Sequence, residues 1–192
     1  MPKCSTCKHV KECQAMHSRK GITLLRSCTN MILKNVLKSM KSSCPGVGQV
    51  LEIGFGAQSL RKPIEEGGNL VWWGSDPRWN DHPDRHILGS SVDDMPFEDG
   101  IFDFVVANNS MEHWLEFVAD MDKSLMEVRR VMKPGGKFYA IVPINSHGSR
   151  AFRLGRIGRI EHWFDGKWKS VSYEQWGDES HREYMMLIET TK

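Results

Sequence analysis

Short apolar runs alternate with longer amphipathic segments along most of this chain. The apolar runs lie at about 49–53, 69–75, 101–107 and 137–143. Unbroken runs of this length are typical of strands that are buried on both faces of a sheet. Between them, segments 22–41 and 119–132 repeat apolar residues at the spacing of an amphipathic helix. This alternation predicts a parallel sheet that is covered by helices on both faces.

Weaker patterns complete the predicted sheet. A short third strand is expected near Arg85–Leu88, and two more strands near Trp168–Tyr173 and Tyr184–Glu189. The helix at 119–132 should end at Lys133–Gly136, because proline and glycine do not continue a helix. The pattern as a whole predicts an α/β domain with seven strands.

The composition is that of a globular domain with a separate N-terminal arm. The 192 residues are 40% hydrophobic and 26% charged, which is enough for one sizeable core. We expect residues 1–20 to form an arm and residues 21–192 to form a single domain. The sequence has no run of 18 apolar residues and no apolar signal-peptide core near its beginning. It therefore predicts a cytoplasmic protein without a membrane span.

The predicted arm is basic and rich in cysteine. Residues 1–41 hold nine Lys or Arg and one acid, although the net charge of the whole chain is only +2. Such a segment can bind nucleic acid or simply stay solvated, and nucleic acid is the less favoured interpretation. The candidate metal ligands are Cys4, Cys7, Cys13 and His17, with Cys28 as a further candidate. Their spacing predicts zinc or an iron–sulfur cluster, and the alternative is an arm with free thiols.

A glycine turn and a carboxylate some 20 residues later indicate a nucleoside site. The first apolar run ends in Val50–Gly56, whose sequence VLEIGFG places a Gly-x-Gly turn after the strand. Glycine lets the backbone turn tightly and approach a ligand closely. The second apolar run leads to Asp76. A carboxylate at the tip of a second strand can accept hydrogen bonds from ribose hydroxyls.

Four motifs in this order resemble class I S-adenosylmethionine-dependent methyltransferases, and most closely the broad type 11 group. The motifs are Val50–Gly56, Gly74–Asp76, Asp94–Phe97 leading into Phe102–Asn108, and Val131–Phe138. The resemblance covers roughly residues 48–143. It implies a Rossmann-like, doubly wound and mostly parallel seven-stranded sheet whose last strand is antiparallel. It also implies that S-adenosylmethionine is the cofactor.

The resemblance assigns roles to single positions. The residues that would hold the methionine part and the ribose are Glu52, Gly54, Phe55, Gly56 and Asp76. Ser91 and Val92 would border the adenine, and Asn108 would lie beneath the sulfonium. These positions follow the carboxyl ends of strands, where ligands of open α/β sheets bind.

Three positions depart from the pattern of this group. Gln58 stands where a third glycine is usual, and Ser91 stands where an acid is common. Pro63 falls where the first helix of the domain should already be running. Because proline is tolerated only in the first turn of a helix, this helix is expected to start late, near Lys62.

Candidate residues for the methyl acceptor follow the fourth and fifth strands. His113 and His147 are the expected catalytic residues, because an imidazole titrates near neutral pH and can take the proton of a hydroxyl acceptor. Alternatively, the acceptor would be oriented by Asn109, Ser110, Asn145 and Ser146. The alternative is that either histidine is an ordinary packing or loop residue.

Residues 146–168 are expected to form a lid over the acceptor. They include Arg150 and Arg153, the first of four arginines spaced three apart, and an aromatic cluster follows. Arginine binds phosphate or carboxylate, and aromatic rings stack on sugars. We therefore expect O-methylation of a small-molecule or glycan-linked acceptor that can be anionic. Gly155 and Gly158 argue against a regular helix in this lid, and a solvated basic loop is the alternative.

Two other classes of function remain open from the sequence. An NAD-dependent Rossmann oxidoreductase would explain the Gly-x-Gly turn and Asp76, but neither the loop at Asp94–Phe97 nor the turn at Lys133–Gly136. A non-catalytic module that binds nucleic acid or cofactor, with a metal-binding arm, is the second alternative. Binding of a sulfur nucleoside would favour the methyltransferase, binding of NAD the oxidoreductase, and binding of nucleic acid the non-catalytic module.

Overall fold

The protein is described here from a computed structural model. The structure describes residues 24–57, 59–118, 120–177 and 184–192, and of 24–27 it describes the backbone alone. The helices are α1 Leu24–Ser43, α2 Arg61–Glu65, α3 Trp114–Phe117, α4 Met121–Val131, α5 Arg150–Arg153 and α6 Ile157–Phe164, and a 3₁₀ turn spans Met111–His113. The strands are β1 Gly48–Ile53, β2 Leu70–Ser75, β3 Ile87–Leu88, β4 Phe102–Asn108, β5 Met132–Ile144, β6 Ser170–Trp176 and β7 Tyr184–Thr191.

One sheet of seven strands organises the described part of the chain. Its order is β3-β2-β1-β4-β5-β7-β6. The first five strands pair in parallel, whereas β7 is antiparallel to both β5 and β6. The predicted doubly wound, mostly parallel sheet with an antiparallel last strand is confirmed. The order reverses between β1 and β4, and the carboxyl ends of these strands meet there.

Apolar side chains fill both faces of this sheet. On one face, α4 and α6 bury residues such as Leu125, Val128 and Phe164 against β4 and β5. On the other face, α1 buries Ile32 and Met40 against β1 and β7. Strands β1 and β4 are almost wholly buried, as their unbroken apolar runs predicted.

The helix α4 and the strand β5 differ in extent from their predictions. Helix α4 begins after Asp120, whose carboxylate accepts a hydrogen bond from the Asp122 amide (2.8 Å) as an N-cap. Strand β5 begins at Met132, directly after this helix, and not at Lys137. Its pairing with β4 shifts register between Phe102 and Phe104, where the Pro-Gly-Gly segment makes an irregularity. The segment Lys133–Gly136, which was predicted to be a turn, is therefore the first part of β5.

Two further helices agree with or correct the sequence analysis. Helix α2 starts at Arg61, which puts Pro63 in the first turn, where it is tolerated. The prediction that Gly155 and Gly158 exclude a helix from the lid was wrong. Gly155 separates α5 from α6 with a φ of +56°, whereas Gly158 lies within α6. Apolar packing of Ile160, Trp163 and Phe164 outweighs the low helix propensity of one glycine.

The loop Asp94–Phe97 is fixed by the C-terminal turn of α4. Arg130 donates from Nη2 to the Met95 carbonyl (3.0 Å) and from Nη1 to the Phe97 carbonyl (2.7 Å). Glu127 accepts a hydrogen bond from the Met95 amide at 2.9 Å. These hydrogen bonds fix the segment that connects Val92 to β4.

None of the helices in the described ranges combines the length and hydropathy needed to cross a bilayer.

Candidate active site

The turn after β1 brings the backbone to the carboxyl edge of the sheet. Gly54 and Gly56 have φ values of +68° and +58°, a region that glycine adopts without strain. A Cβ on Gly54 would lie 2.6 Å from the Cβ of Ser110, and the Ser110 hydroxyl donates to the Ile53 carbonyl (2.7 Å). Glycine at position 54 therefore lets the loop after β4 pack directly on the turn.

Glu52 lies beneath this turn and holds it from inside. Its side chain is 1% exposed, and Oε2 accepts hydrogen bonds from the Leu60 amide (2.7 Å) and the Trp72 indole (2.8 Å). Burial raises the pKa of Glu52 to about 7, against the opposing effect of the two hydrogen bonds. Phe55 is also buried, stacked on Trp79 with ring centroids 5.8 Å apart. Both side chains thus shape the glycine turn from the core side.

Asp76 stands at the tip of β2, as the sequence predicted, but Arg78 covers it. Oδ1 accepts from the amide and Nε of Arg78 (both 3.0 Å), and Oδ2 accepts from the Gly56 amide and from Arg78 Nη2 (both 2.9 Å). Burial raises the pKa of Asp76, but the hydrogen bonds from Arg78 and Gly56 outweigh it and leave the pKa below its ordinary value. Four donors fill the roughly four lone-pair positions of a carboxylate.

A pocket of about 290 Å³ opens at the point where the strand order reverses. Its lining includes Gly54, Asp76 and Val92, and also His113 and Trp114. The lining residues to which the sequence analysis assigned no role are Ile53, Ser75, Pro77, Arg78, Ser90, Trp114, Phe117 and Val118. One pocket thus contains residues predicted for the cofactor and residues predicted for the acceptor.

The predicted adenine and sulfonium residues divide between the pocket and its surroundings. Ser91 and Val92 line the pocket, and the Ser91 hydroxyl also donates to Asp93, whose pKa it lowers. Asn108 ends β4 and is half-buried, whereas its neighbour Asn109 lines the pocket with a φ of +49°. The left-handed backbone at Asn109, a conformation that asparagine tolerates, turns the chain into the 3₁₀ segment.

The two predicted catalytic histidines lie together beside a buried glutamate. The ring centroids of His113 and His147 are 5.3 Å apart. His113 lines the pocket, and its Nδ1 lies 2.8 Å from Glu116 Oε2. Glu112 is fully buried, with Oε1 3.5 Å from His147 Nε2 and 4.0 Å from His113 Nε2. The fold thus unites residues that follow two different strands.

The other predicted acceptor residues do not line this pocket. Asn145 is exposed, with a φ of +59°, and its side chain packs against Gly155. Arg150 and Arg153 are exposed on α5. The aromatic residues Trp163 and Phe164 are buried in the core on α6. An acceptor role for the asparagine and the two arginines stays a prediction.

The predicted metal ligands of the arm, Cys4, Cys7, Cys13 and His17, lie outside the described residues. Cys28 is within them, on α1, and is buried at 1% exposure in the core. Zinc or an iron–sulfur cluster in the arm, with Cys28 as a further candidate ligand, therefore stays a prediction.

Sequence reasoning missed three residues that shape the pocket. Arg78 had no sequence signal other than its position two residues after Asp76. Trp114 lines the pocket, and its Nε1 is buried without a hydrogen-bond partner among the described residues. Phe117 also lines the pocket and is 73% exposed.

Comparison with known families agrees with this geometry. Residues 51–140 match the family model described as a methyltransferase domain. The match spans β1 to the middle of β5, which are the elements that carry Gly54, Asp76, Val92 and His113. Over this segment, the predicted resemblance to class I S-adenosylmethionine-dependent methyltransferases of the type 11 group is confirmed.

Curated relatives are similar over part of their length. The mitochondrial 2-methoxy-6-polyprenyl-1,4-benzoquinol methylase of Mus musculus is 24% identical over 179 residues, which cover 83% of this chain and 47% of that protein. The 2-phytyl-1,4-naphtoquinone methyltransferase of Trichormus variabilis is 32% identical over 103 residues, which cover 53% of this chain and 41% of that protein. The chain therefore spans less than half the length of these relatives.

A solved structure shares the fold. The phosphoethanolamine N-methyltransferase 2 of Haemonchus contortus was solved with phosphomonomethylethanolamine and S-adenosylhomocysteine. It superposes with a TM-score of 0.56 at 14% identity, over 82% of this chain and 52% of that chain. The likeness at this identity extends to the fold, and the acceptor of this chain has to be argued from its own residues.

Proposed function

We propose that this chain transfers the methyl group of S-adenosylmethionine to an oxygen of a small, mainly apolar acceptor. The observation that carries this proposal is one pocket whose lining includes both Asp76 and His113. Asp76 supplies a carboxylate for a ribose, and His113 supplies a base for an acceptor. A nucleoside cofactor and an acceptor would share this pocket.

The residues around Asp76 fit a nucleoside if Arg78 moves away. The guanidinium occupies one lone-pair position on each Asp76 oxygen, through Nε and Nη2. The Arg78 side chain is 67% exposed, so it can leave without disturbing the core. Its departure would free one acceptor position on each oxygen, which suits the two hydroxyls of a ribose. Val92 and the backbone at Gly54 supply apolar and close-packed walls for the rest of the nucleoside.

The bound cofactor would supply an electrophilic methyl group on a sulfonium with a neutral leaving group. The protein therefore has to position the acceptor and take its proton. His113 is 35% exposed at its side chain and borders the pocket, so it can exchange a proton with solvent. Its Nδ1 lies 2.8 Å from Glu116 Oε2, which would orient the ring. His147 packs on the same ring.

An apolar acceptor agrees better with the pocket than an anionic glycan does. Near His113 in the chain, Trp114, Phe117 and Val118 give the pocket an apolar lining. Aromatic side chains at a rim suit a flat ring with hydroxyl substituents. The curated relatives named for benzoquinol and naphthoquinone substrates support an acceptor of this kind. The arginines of α5 supply no contact within the pocket that would favour a phosphate or carboxylate.

The sheet order argues against the oxidoreductase alternative. A dinucleotide-binding Rossmann sheet has the order 3-2-1-4-5-6 with parallel strands. Here the antiparallel strand β7 lies between β5 and β6. This arrangement supports a methyltransferase over an NAD-dependent enzyme.

Calorimetric titration of the purified chain with S-adenosylhomocysteine tests the cofactor, with NAD as the matched comparison. We expect micromolar binding of the first ligand and no heat from the second. Radiolabelled methyl transfer from S-adenosylmethionine to a panel of phenols, catechols and hydroquinones then tests the acceptor class. Sugar nucleotides serve as the opposing panel.

The outcomes separate the parts of the proposal. Binding of NAD in place of the sulfur nucleoside would contradict the cofactor assignment. Cofactor binding with transfer only to sugar nucleotides would contradict the apolar acceptor. A bound cofactor without transfer to either panel, together with salt-sensitive RNA or DNA binding, would favour the non-catalytic alternative.

A further inference from the structure

Glu112 is a buried carboxylate that the methyl-transfer chemistry does not use. It is 0% exposed, and neither carboxylate oxygen has a hydrogen-bond partner within the described residues. A carboxylate removed from water without a partner is costly and needs compensation from a nearby positive charge or a metal ion. The nearest groups on its Oε1 are two imidazole nitrogens, at 3.5 and 4.0 Å. These distances are longer than a good hydrogen bond, so the three atoms surround a gap.

Both imidazoles present the same nitrogen to this gap. His113 Nδ1 lies 2.8 Å from Glu116 Oε2, and His147 Nδ1 lies 3.0 Å from the Ser146 hydroxyl. In each ring the Nε2 atom is then the one nearer Glu112. A histidine that ligates a metal usually has its other ring nitrogen held by a carboxylate or another polar group, which fixes the ring and its tautomer. The outer partners of such an arrangement are already in place here.

The backbone around Glu112 holds the two histidine loops together. The Ser149 amide donates to the Glu112 carbonyl at 2.7 Å. A Cβ on Gly148 would lie 2.7–2.8 Å from the carbonyl oxygen and side chain of Glu112, so only glycine permits this close approach. The loop after β5, which carries His147, is therefore tied to the segment that carries Glu112 and His113. The ligand atoms of the three side chains all lie within 4.8 Å of one another.

We propose that Glu112, His113 and His147 form a site for a divalent transition-metal ion at the acceptor end of the pocket. Two imidazoles and one carboxylate form a facial set of ligands that leaves open positions and suits Mn²⁺, Fe²⁺, Co²⁺ or Zn²⁺. Ligand bonds of about 2.1 Å separate neighbouring ligand atoms by roughly 3.0–3.4 Å. Binding would thus draw the three side chains slightly closer than they are.

Such an ion would deepen the proposed function, on which its catalytic role rests. His113 borders the pocket, so an open position of the ion can take an acceptor hydroxyl. In that case the ion, and not a free His113 ring, would activate the acceptor. The metal-bound hydroxyl would lose its proton to solvent more easily, because the cation stabilises the oxygen anion. That oxygen would form the bond to the methyl carbon as the carbon–sulfur bond breaks, and sulfur would keep the electron pair as a neutral thioether. A hydroxylated aromatic acceptor with two neighbouring oxygens would bind the ion best.

Titration of the full-length apoprotein with Mn²⁺, followed by electron paramagnetic resonance of the unbound ion, tests this site without any cofactor. Mn²⁺ is the first probe because thiolates of the arm bind it poorly. We expect one ion bound per chain. Affinity should fall at least tenfold in Glu112→Gln, which keeps the size of the side chain, and in His147→Ala. The matched control is His162→Ala, an exposed histidine on α6 that should leave the affinity unchanged.

A Co²⁺ spectrum separates this site from the arm. Cys4→Ser combined with Cys7→Ser should leave the nitrogen–oxygen absorption of bound Co²⁺ unchanged, whereas Glu112→Gln should abolish it. Thermal unfolding and S-adenosylhomocysteine affinity of each variant verify that it is folded. The inference is overturned if the wild type binds neither ion, or if the Glu112→Gln and His147→Ala variants bind them as the wild type does. No nucleoside is present in these titrations, so their result does not depend on cofactor binding. The proposed function is tested separately, by cofactor binding and methyl transfer.

Discussion

At the scale of single residues, the site depends on competition for one carboxylate. Asp76 accepts hydrogen bonds from Gly56 and Arg78 in the structure, so its charge is already satisfied before any ligand arrives. A ligand that replaces the Arg78 side chain gains two hydrogen bonds and breaks two. We therefore expect Asp76 to increase the affinity for the ligand and Arg78 to decrease it.

Replacing Asp76 by alanine should weaken S-adenosylhomocysteine binding by about 1–3 kcal/mol, the scale of lost hydrogen bonds to a charged group. Calorimetric titration measures this change. Asp165→Ala, at an exposed position after α6, is the control and should bind as the wild type does. Unchanged affinity in Asp76→Ala would place the ribose elsewhere.

Replacing Arg78 by methionine should strengthen the same binding by about 1 kcal/mol, or roughly fivefold, because the ligand no longer displaces a guanidinium. Methionine keeps the apolar stem of the side chain. The exposed Arg85→Met variant controls for the loss of one positive charge near the site. Weaker binding in Arg78→Met, with Arg85→Met unchanged, would show that Arg78 contacts the ligand and does not compete with it.

At the scale of elements, one buried carboxyl joins two strands and a helix. Glu52 on β1 accepts from the Trp72 indole on β2 and from the Leu60 amide just before α2. These bonds close the loop that carries Gly54 and Gly56. A buried ionisable group at this junction makes the stability of the loop depend on pH.

The pH dependence of stability should report Glu52 directly. Burial raises its pKa from 4.5 to about 7 on folding, so between these values the folded state binds more protons than the unfolded state. The stabilising contribution is complete below pH 4.5 and is lost as the pH rises through about 7, by about 3 kcal/mol in all. Urea unfolding from pH 4.5 to 8 should show this decline in the wild type and not in Glu52→Gln.

The control for this pH series is Glu66→Gln, which changes an exposed acid after α2. Its free energy of unfolding should follow the wild-type curve at every pH. A wild-type curve that runs parallel to that of Glu52→Gln would mean that Glu52 does not change its pKa on folding.

Two glycines of the lid should respond oppositely to alanine. Gly158 lies within α6 with open space at its Cβ position, so Gly158→Ala should stabilise the fold by about 0.5–1 kcal/mol. Gly155 has a φ of +56°, and a Cβ there would lie 2.2 Å from Asn145 Oδ1. Gly155→Ala should therefore destabilise by about 1–2 kcal/mol. Chemical denaturation measures both, and a gain in both variants would contradict the separation of α5 from α6 at Gly155.

At the scale of the whole molecule, the described residues enclose both the core and the pocket. Helix α1 packs on the sheet face opposite α4 and α6, and the pocket lies at the carboxyl edge between the two layers. The residues that line this pocket lie between Ile53 and Val118, and His147 reaches Glu112 beside it. The predicted arm at 1–20 lies outside the described residues.

Because residues 21–192 are predicted to form the domain by themselves, removing residues 1–20 should leave the free energy of unfolding and the affinity for S-adenosylhomocysteine within error of the whole chain. Denaturation and calorimetry measure the two quantities. Zinc analysis of both proteins tests the arm separately, because the deletion removes Cys4, Cys7, Cys13 and His17. A truncated chain that does not fold would contradict the division at residue 20.

The sequence by itself determined the order of the strands along the chain, the glycine turn and the position of Asp76. These features depend on local hydrophobic runs and on backbone preferences that neighbouring residues carry. It also proposed His113 and His147 as catalytic candidates, without predicting that the two rings lie side by side. It placed the start of β5 too late, because the pairing of Met132 with Phe102 is a contact between distant residues.

Tertiary structure alone decided which groups meet. These contacts depend on how segments pack in three dimensions. Examples are the hydrogen bonds from Arg78 to Asp76, the burial of Trp163 and Phe164, and the approach of His147 to Glu112. A sequence pattern reports which face of an element is apolar, and it does not report which side chain of another element will lie opposite. The position of Asp76 at the tip of β2 could be predicted because it depends on one strand alone. The burial of Glu112 between two imidazoles could not, because it depends on two segments.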